Sequence, residues 1–509
     1  MHSAFDTLDV VERRRSDVAT AEAKYRKLSS ELQELDLKRK DVQEHLDVLQ
    51  DEIESHRTAL AVRVHPRIPA EIFSEILQYC CGTDKLNVFH GKGQLQWILS
   101  AVCRRWRAIA FSTPQLWSSL HFDVAYAIRN HFRDTVDIAR QILKRSGQVP
   151  LAITLDMGAN RHHLLRALLK ESFRWKSFRL GLQPHKSNGK TVAMLNDQRG
   201  NFPMLEALAV KMASKLPAPL TAFETCPTLH SLELSLRAPA RDVAVPWGRI
   251  TSFSGSLCLS NDDPLRLMRN MPAVRHAVIN LADSESRIDA PREPNLLPHL
   301  RSLHLHGSSR FIQYAILPAL TELSMERCPL LGEHYTSLFS QVGGSLTTLE
   351  LIYLPNGPEI NLSTFKHLTR LERLEILSRS DIDSSFYNGM TATERGAVIL
   401  PNLRILHLWY RITITPPLLA MLDSRIFRHI NDGASGKYRS TAVLERVFIG
   451  YKAVTDDLHD RMSALQVHGN GTHIEFVEGN DSIMACHSKF EALRSRLSTR
   501  YGSSTFYRS

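Results

Sequence analysis

The chain has 509 residues, which is long for one compact domain and predicts roughly two to four folding units. Apolar residues make up 43% and charged residues 23% of the chain, proportions typical of a globular protein rather than a fibrous one. The formal net charge of +10 is scattered along the sequence instead of forming one basic block, so it argues only weakly for nucleic-acid binding.

Cysteine usage and hydropathy predict the compartment. The seven cysteines include no CxxC pair, which favours reduced thiols in the cytosol or nucleus. Residues 1–15 lack the apolar run of a signal peptide, and no window offers the roughly 18 apolar residues of a membrane span. We therefore expect a cytoplasmic or nuclear protein that does not cross a membrane.

Residues 8–61 contain no glycine or proline and predict one long helix with a heptad pattern. The a positions are Val11, Val18, Tyr25, Leu32, Leu46, Ile53 and Leu60, and the d positions are Ala21, Leu28, Leu35, Val42 and Leu49. Arg14, Arg39 and His56 interrupt the pattern. The register fits either self-association as a coiled coil or a helix that folds back on the rest of the chain, and it does not choose between them.

The next stretch, 64–117, predicts two short helices and a turn. Apolar residues recur at helical spacing from Ile72 to Cys80 after Pro69, and proline suits a first helical turn. A second apolar stripe runs from Leu95 to Ala110 and ends before a turn that holds Trp117. So small a helical unit buries little surface by itself and needs a neighbour to pack against.

The order Ile-Pro-x-Glu-Ile-(x)3-Ile-Leu, then Val-Cys-(x)2-Trp-Arg-x-Ile, then Leu-Trp resembles an F-box. It is most similar to the F-box proteins that are numerous in mushroom-forming fungi. The resemblance implies docking to a Skp-type adaptor, which links the chain to a cullin–RING ubiquitin ligase. The adaptor-facing positions that it implies are Ile68, Pro69, Glu71, Ile72, Ile76, Leu77, Val102, Cys103, Trp106 and Ile109. The connection at 81–93 is longer than is usual in the family.

After the F-box-like stretch, strand and helix patterns alternate. Leu120 and Phe122 indicate a strand, the apolar stripe over 124–145 indicates a helix, and the alternation that begins at Pro150 indicates another strand. From about residue 175 a hexad with apolar residues at its first, fourth and sixth positions repeats. The clearest copies start at Leu205, Leu229, Leu300, Leu320, Leu346, Leu371, Leu403 and Leu444, and weaker ones at Trp175, Ile250 and Val274.

The spacing of these hexads, in the low to middle twenties between 205 and 371, resembles that of leucine-rich repeats. In that family each repeat contributes one short strand, and stacking buries the leucines against the next repeat. The copies lack the asparagine common in such repeats, so they are degenerate. We expect an insertion at 411–440 that is mostly loop around a short helix. A helix at 455–466, a strand at 473–478, a helix at 482–498 and a disordered tail would follow.

These patterns together predict an α/β protein, a leucine-rich-repeat solenoid preceded by a small all-α F-box and a long N-terminal helix. The predicted divisions are 1–62 for the long helix, 63–119 for the F-box, 120–200 for the strand–helix–strand start, 201–454 for the repeats and 455–509 for the cap and tail.

No catalytic motif is present at the spacing that its chemistry needs. The sequence contains no HExxH, GxSxG, Walker-type or paired CxxC motif, and its 23 histidines are scattered. We therefore predict no enzyme activity, no cofactor and no metal site.

The function predicted is a substrate-recognition adaptor of an SCF-type ubiquitin ligase that binds a target protein. Two alternatives remain open: a coiled-coil and repeat scaffold without a ligase role, and a nucleic-acid-binding repeat protein.

Target-binding residues are expected on the strand positions that alternate with the buried leucines, because successive side chains of a strand point to opposite faces. An outward aromatic residue is the kind that anchors a protein interface. We predict that His304, His306, His407 and Trp409 lie on that face, the inner side of the curved array, with Trp409 exposed, and that they contribute to target capture.

Overall fold

The structure is a computed structural model. It describes residues 3–64, 68–82, 84–90, 93–131, 134–157, 162–185, 188–212, 215–236, 240–256, 264–281, 294–307, 312, 314–328, 333–352, 362–378, 382–392, 398–426, 442–454, 456–468 and 472–478. The chain divides into two compact units, Met1–Cys80 and Cys81–Ser509. The five-part division predicted from the sequence is finer than this one and stays a prediction.

The described helices lie throughout the chain. Their bounds are α1 Ser3–Val64, α2 Ala70–Cys81, α3 Leu95–Ala101, α4 Arg104–Phe111, α5 Val124–Arg129, α6 Thr135–Arg145, α7 His162–Leu169, α8 Asn188–Asn196, α9 Pro264–Arg269, α10 Glu333–Val342, α11 Leu362–Phe365, α12 Ser384–Met390, α13 Pro416–Ile426 and α14 Asp456–His468. Short 3-10 turns occupy Pro114–Trp117, Ser172–Arg174, Ala240–Asp242 and Trp247–Arg249. None of the described helices has an apolar stretch long enough to span a bilayer.

The described strands all lie after α2. Their bounds are β1 Leu86–Asn87, β2 Ser119–Asp123, β3 Leu151–Met157, β4 Trp175–Leu182, β5 Ala207–Met212, β6 Ser231–Leu236, β7 Ser252–Ser256, β8 His276–Asn280, β9 Asn295–Leu296, β10 Ser302–His306, β11 Ala315–Ile316, β12 Glu322–Glu326, β13 Thr348–Ile352, β14 Arg373–Leu377, β15 Ile405–Thr413, β16 Arg446–Ala453 and β17 His473–Glu478.

The first unit is dominated by α1, the predicted long helix. Its sequence has no helix breaker, and pairs of opposite charge one turn apart support it, as with Lys38 and Glu34 at 2.7 Å. Every side chain described in α1, from 14 to 57, is exposed. The shorter α2 follows Pro69, whose carbonyl oxygen accepts the first helical hydrogen bond from the backbone N–H of Phe73 at 3.0 Å.

The second unit is built on one parallel sheet. Among the described strands, fifteen join it in chain order from β1 to β17, while β9 and β11 form a separate two-stranded pair. Each predicted hexad lies on a strand, which begins at its third residue in all copies except that at Trp175. The predicted α/β class is therefore confirmed, and the structure adds that the strands run parallel, so each connection between neighbouring strands crosses over.

The core of the second unit lies on one face of this sheet. Register pairs Leu349 with Leu374 and Leu374 with Leu406, and two residues later Leu351 pairs with Ile376. These fourth and sixth hexad positions are buried on almost every strand. A single hexad could not bury such residues, so each strand depends on its neighbours for most of its stability.

Several boundaries differ from the sequence prediction. The helix predicted over 124–145 is two helices, α5 and α6, separated at His131, where φ is 54°. The strand β15 continues to Thr413, so the predicted insertion begins later than expected. The predicted helix over 455–466 and strand over 473–478 are confirmed as α14 and β17. The helix predicted over 482–498 and the tail lie outside the described residues.

Candidate functional site

The helix α2 carries an apolar stripe that faces solvent. Ile72 is 49% exposed and Ile76 is 42% exposed, and the aromatic ring of Tyr79 is almost wholly exposed. Their spacing of four and three residues places them on one face of the helix. Phe73 and Leu77, one position further along, are buried. One apolar side of α2 therefore packs inside the protein, and a second apolar side is exposed to solvent.

The second predicted helix of the 64–117 stretch is broken at Cys103. The backbone of Cys103 is extended, with φ −155° and ψ 173°, and separates α3 from α4. Its Sγ accepts a hydrogen bond from the backbone N–H of Trp106 at 3.5 Å, so the thiol caps the first turn of α4. Apolar spacing continues through Cys103, so the sequence pattern does not indicate this break.

The helix α3 carries a second uncovered apolar surface. Leu95 and Ile98 of α3, and Val102 directly after its last residue, recur at intervals of three and four residues, and Val102 is 56% exposed. On the other side of the helix, Gln96 and Leu99 are buried. Exposed apolar side chains that line up in this way are typical of a surface that another protein covers.

An aromatic cluster anchors α3 and α4 inside the second unit. The ring of Trp117 lies 5.1 Å from that of Trp97 and 5.7 Å from that of Phe111, both in edge-to-face geometry. The Trp117 indole N–H donates to the carbonyl oxygen of Ala110 at 2.8 Å. From α6, the Arg145 guanidinium lies 4.2 Å from the centre of the Phe111 ring, a cation–π contact. These contacts hold α3 in a fixed position, with its exposed apolar residues facing solvent.

The ten adaptor-facing residues predicted from the resemblance differ in exposure. Pro69, Glu71, Ile72, Ile76 and Val102 are exposed, and Ile68, Cys103 and Trp106 are partly buried. Leu77 and Ile109 are buried, which corrects the expectation that they offer binding surface. Each lies on the inward side of an amphipathic helix, where an apolar residue supports the fold.

Tyr79, Leu95 and Ile98 are exposed apolar residues that the sequence interpretation did not assign to binding. Leu95 and Ile98 belong to the second helical stripe of the sequence. Periodicity alone does not show which apolar residues of such a stripe are exposed to solvent in the fold. Tyr79 follows Ile72 by seven residues, so its helical spacing was a usable signal.

Comparison with known families identifies the same stretch. The profile of the F-box-like family matches residues 65–123, which include α2, α3 and α4. A comparison with curated proteins found no match to the chain. The chain therefore contains an F-box-like domain. Domains of this kind generally bind Skp1-type adaptors in cullin–RING ligases and are typically adaptors rather than enzymes.

The strand residues that alternate with the core form the second face of the sheet. Trp409 lies on this face, in register with Leu377 on β14, which is itself in register with Ile352 on β13. The Trp409 ring also lies 4.0 Å from that of Phe448. These four residues form one buried apolar cluster.

The expectation that Trp409 is exposed is wrong, since only 5% of its surface reaches solvent. The indole belongs to a cluster with Leu377 and Ile352, which occupy the equivalent positions of β14 and β13, and with Phe448 of β16, which is in register with His407. The sequence of a single strand does not reveal such neighbours. The predicted role of Trp409 in target binding stays a prediction.

The three predicted histidines lie on the same face beside carboxylates. Nε2 of His304 and Nε2 of His306 lie 3.8 Å and 3.7 Å from carboxylate oxygens of Glu326. Nδ1 of His407 lies 3.1 Å from Oε1 of Glu375. His304 and His407 are buried and His306 is partly buried, so their exposure is lower than the sequence interpretation expected.

Two neighbouring carboxyl groups on this face have opposite pKa shifts. Burial raises the pKa of Glu350, and the negative charge of Glu375 raises it further, to about 7. Burial also acts to raise the pKa of Glu375, but the hydrogen bond with His407 and the charge of Arg373 outweigh it and lower the value to about 2. At neutral pH one carboxyl is fully ionised and the other is close to half protonated.

Replacing Glu350 by glutamine is expected to stabilise the protein above pH 7. A raised folded-state pKa means that Glu350 stabilises the fold below about pH 4.5 and that this contribution is lost as the pH rises through about 7. Glu350→Gln removes the charge, so its free energy of unfolding should exceed that of the natural chain by about 1 to 3 kcal/mol at pH 8.5 and match it near pH 4.5.

The measurement is urea unfolding of both proteins at the two pH values. Glu475→Gln is the control, because Glu475 occupies the equivalent row on β17 and is exposed. It should change the free energy of unfolding by less than about 0.5 kcal/mol at either pH. Equal stability of Glu350→Gln and the natural chain at pH 8.5 would contradict the account of Glu350.

The described part of the chain contains potential metal ligands and thiols. It contains no group of three side chains arranged to hold a metal ion. Its described cysteines, Cys80, Cys81, Cys103, Cys226 and Cys328, carry reduced thiols. Burial raises the pKa of Cys226 to about 12, which keeps that thiol protonated and unreactive at neutral pH.

Proposed function

We propose that the chain is a substrate-recognition adaptor of an SCF-type cullin–RING ubiquitin ligase. The observation that carries the proposal is the F-box-like domain at 65–123, whose helices leave apolar residues uncovered on α2 and on α3. A Skp-type adaptor bound to the F-box-like domain would connect the chain to the cullin–RING subunits. The transfer of ubiquitin would then belong to those subunits, and this chain would act without catalysis, cofactor or metal.

The parallel sheet would serve target recognition as a degenerate leucine-rich-repeat array, as the hexad spacing suggests. Support comes from the regular succession of parallel strands, since each repeat of that family contributes one strand and adds length to a binding surface. The second face, on which His304, His306 and His407 lie, would contact the target, and the buried Trp409 would support this face through its apolar cluster. Of these four residues, partly buried His306 offers the most surface to a partner. The compartment would be the cytoplasm or the nucleus.

The proposal is tested by measuring the affinity of the purified full chain for a purified Skp-type adaptor by titration calorimetry. The variant carries Ile72→Glu, Ile76→Glu and Val102→Glu, three exposed residues whose replacement should spare the fold. We expect the natural chain to bind and the variant to bind at least about 100-fold more weakly, because buried charges would remain unpaired in the complex.

Leu296→Glu provides the matched control, because Leu296 is an equally exposed apolar residue outside the F-box-like domain. It should bind the adaptor like the natural chain. Circular dichroism and the unfolding midpoint would show that all variants keep the fold. A natural chain that does not bind, or a triple variant that binds as tightly, would contradict the proposal.

A further inference from the structure

The long helix α1 displays an uncovered apolar seam. Nine large apolar residues at its heptad a and d positions, together with Ala21, lie in the part whose side chains are described, and all are exposed. Those nine have between 52% and 75% of their surface in solvent: Val18, Tyr25, Leu28, Leu32, Leu35, Val42, Leu46, Leu49 and Ile53. A heptad seam of this kind becomes stable when another helix covers it.

We propose that α1 pairs with α1 of a second copy of this chain, and that the two helices run antiparallel. The seam offers on the order of 1,000 Å² of surface per helix, comparable to the roughly 800 Å² per partner of a stable specific interface. A second copy supplies a seam of the same length and the same period. The charges beside the seam then decide the orientation.

A parallel pair in register would bring like charges together. In that arrangement each g position lies near the e position of the following heptad on the other helix. Asp17 would then lie near Glu22, and Glu31 near Asp36, on both sides of the pair. Glu52 near Arg57 would be the one attractive pair of opposite charge on each side, so repulsive pairs outnumber attractive ones two to one. At the a position, Arg39 would face its own counterpart in the middle of the seam. Repulsion of this kind is what coiled coils use to exclude an orientation.

An antiparallel pair with full overlap removes these conflicts. Its centre falls between Leu32 and Leu35, so each packs against the other residue of the second copy. Arg39 then shares a layer with Leu28, and the two Arg39 residues lie about 16 Å apart along the axis. At the flanking g positions, Glu31 of each copy lies opposite Lys38 of the other, which gives two attractive pairs.

One pair of like charges, Asp17 opposite Glu52, remains near each end of the antiparallel arrangement. Arg14 occupies the adjoining d position, within reach of both carboxylates. Its positive charge would therefore offset the repulsion between Asp17 and Glu52. The attractive pairs at the centre and the basic residue at each end both favour the antiparallel orientation. Because α1 spans about 90 Å, this pairing places its two C-terminal ends at opposite ends of the dimer.

Sedimentation equilibrium on the full chain tests the pairing. The natural chain should show twice the 57.7 kDa mass of one copy at micromolar concentration. The double variant Leu32→Glu with Leu35→Glu should weaken the dimer at least about 100-fold, because it places four charges at the centre of the seam. The control Leu37→Glu replaces an equally exposed leucine at an f position, away from the seam, and should change the affinity less than threefold.

The orientation is tested by Glu31→Lys. In the antiparallel dimer this variant turns both attractive pairs into Lys–Lys pairs and should weaken association about tenfold. In a parallel dimer it would relieve the repulsion from Asp36 and strengthen association. Glu31→Lys combined with Lys38→Glu exchanges the two charges and should restore the antiparallel dimer to within about threefold. A monomeric natural chain, or a Glu31→Lys variant that associates more tightly, would overturn the proposal.

Discussion

Replacement of Arg425 by methionine should lower the free energy of unfolding by about 3 to 5 kcal/mol. The side chain of Arg425 is buried in α13, and its guanidinium donates to the backbone carbonyl oxygens of Met390, Ile399 and Leu400. The three distances are 3.0, 2.6 and 3.0 Å. Methionine fills similar space but donates no hydrogen bond, so three buried carbonyl groups would lose a partner.

Urea unfolding of the full chain measures this effect, with Arg461→Met as the control. Arg461 pairs with Asp423 at 2.9 Å, but both side chains are about half exposed. Solvent screens such a pair, so the control should lose no more than about 1 kcal/mol. Equal losses for the two variants would contradict the structural role assigned to Arg425.

Replacement of Trp409 by alanine should also lower the free energy of unfolding, by about 3 kcal/mol. The substitution removes the largest side chain of the cluster formed with Ile352, Leu377 and Phe448, and leaves a cavity beside them. Trp409→Phe keeps an aromatic ring in place and should lose about 1 kcal/mol or less.

The two Trp409 variants should both retain adaptor binding, since the F-box-like domain does not include β15. Thermal unfolding gives the stability, and the adaptor titration gives the binding. Stability unchanged by Trp409→Ala would contradict the packed cluster and would favour an exposed indole.

The parallel sheet was predictable because its determinants are local and repeated. The apolar residues at the fourth and sixth hexad positions, such as Leu349 and Leu351, specify a strand and its inward face by alternation alone. Repetition then predicts that neighbouring strands stack with the same residues in register. The hexads do not predict β9 and β11, which form a pair outside the main sheet.

The exposure of individual residues was not predictable in the same way. Trp409 is buried because Leu377 and Phe448, far away in sequence, lie beside it on adjacent strands. Leu77 and Ile76 are adjacent apolar residues of one helix, yet only Leu77 is buried. Apolar spacing identifies such residues as members of a strand or helix. Which of them is buried depends on neighbours that only the folded chain brings together.

The N-terminal cap of α4 was also not predicted from the sequence. Cys103 is an uncommon N-terminal cap, since serine, threonine, aspartate and asparagine are the usual residues there. Its position in an apolar stripe concealed the end of α3. The resemblance located the F-box-like stretch correctly, while the bounds of its helices required the structure.

The central proposal, that the F-box-like domain attaches this chain to a ubiquitin ligase, is tested most directly in the native cell. The tagged chain is purified by affinity, and its partners are identified by mass spectrometry beside those of the Ile72→Glu, Ile76→Glu and Val102→Glu triple variant. We expect the natural chain to recover a Skp-type adaptor and cullin–RING subunits, and the variant to lose them. Recovery of neither subunit with the natural chain, or equal recovery with both proteins, would contradict the proposal.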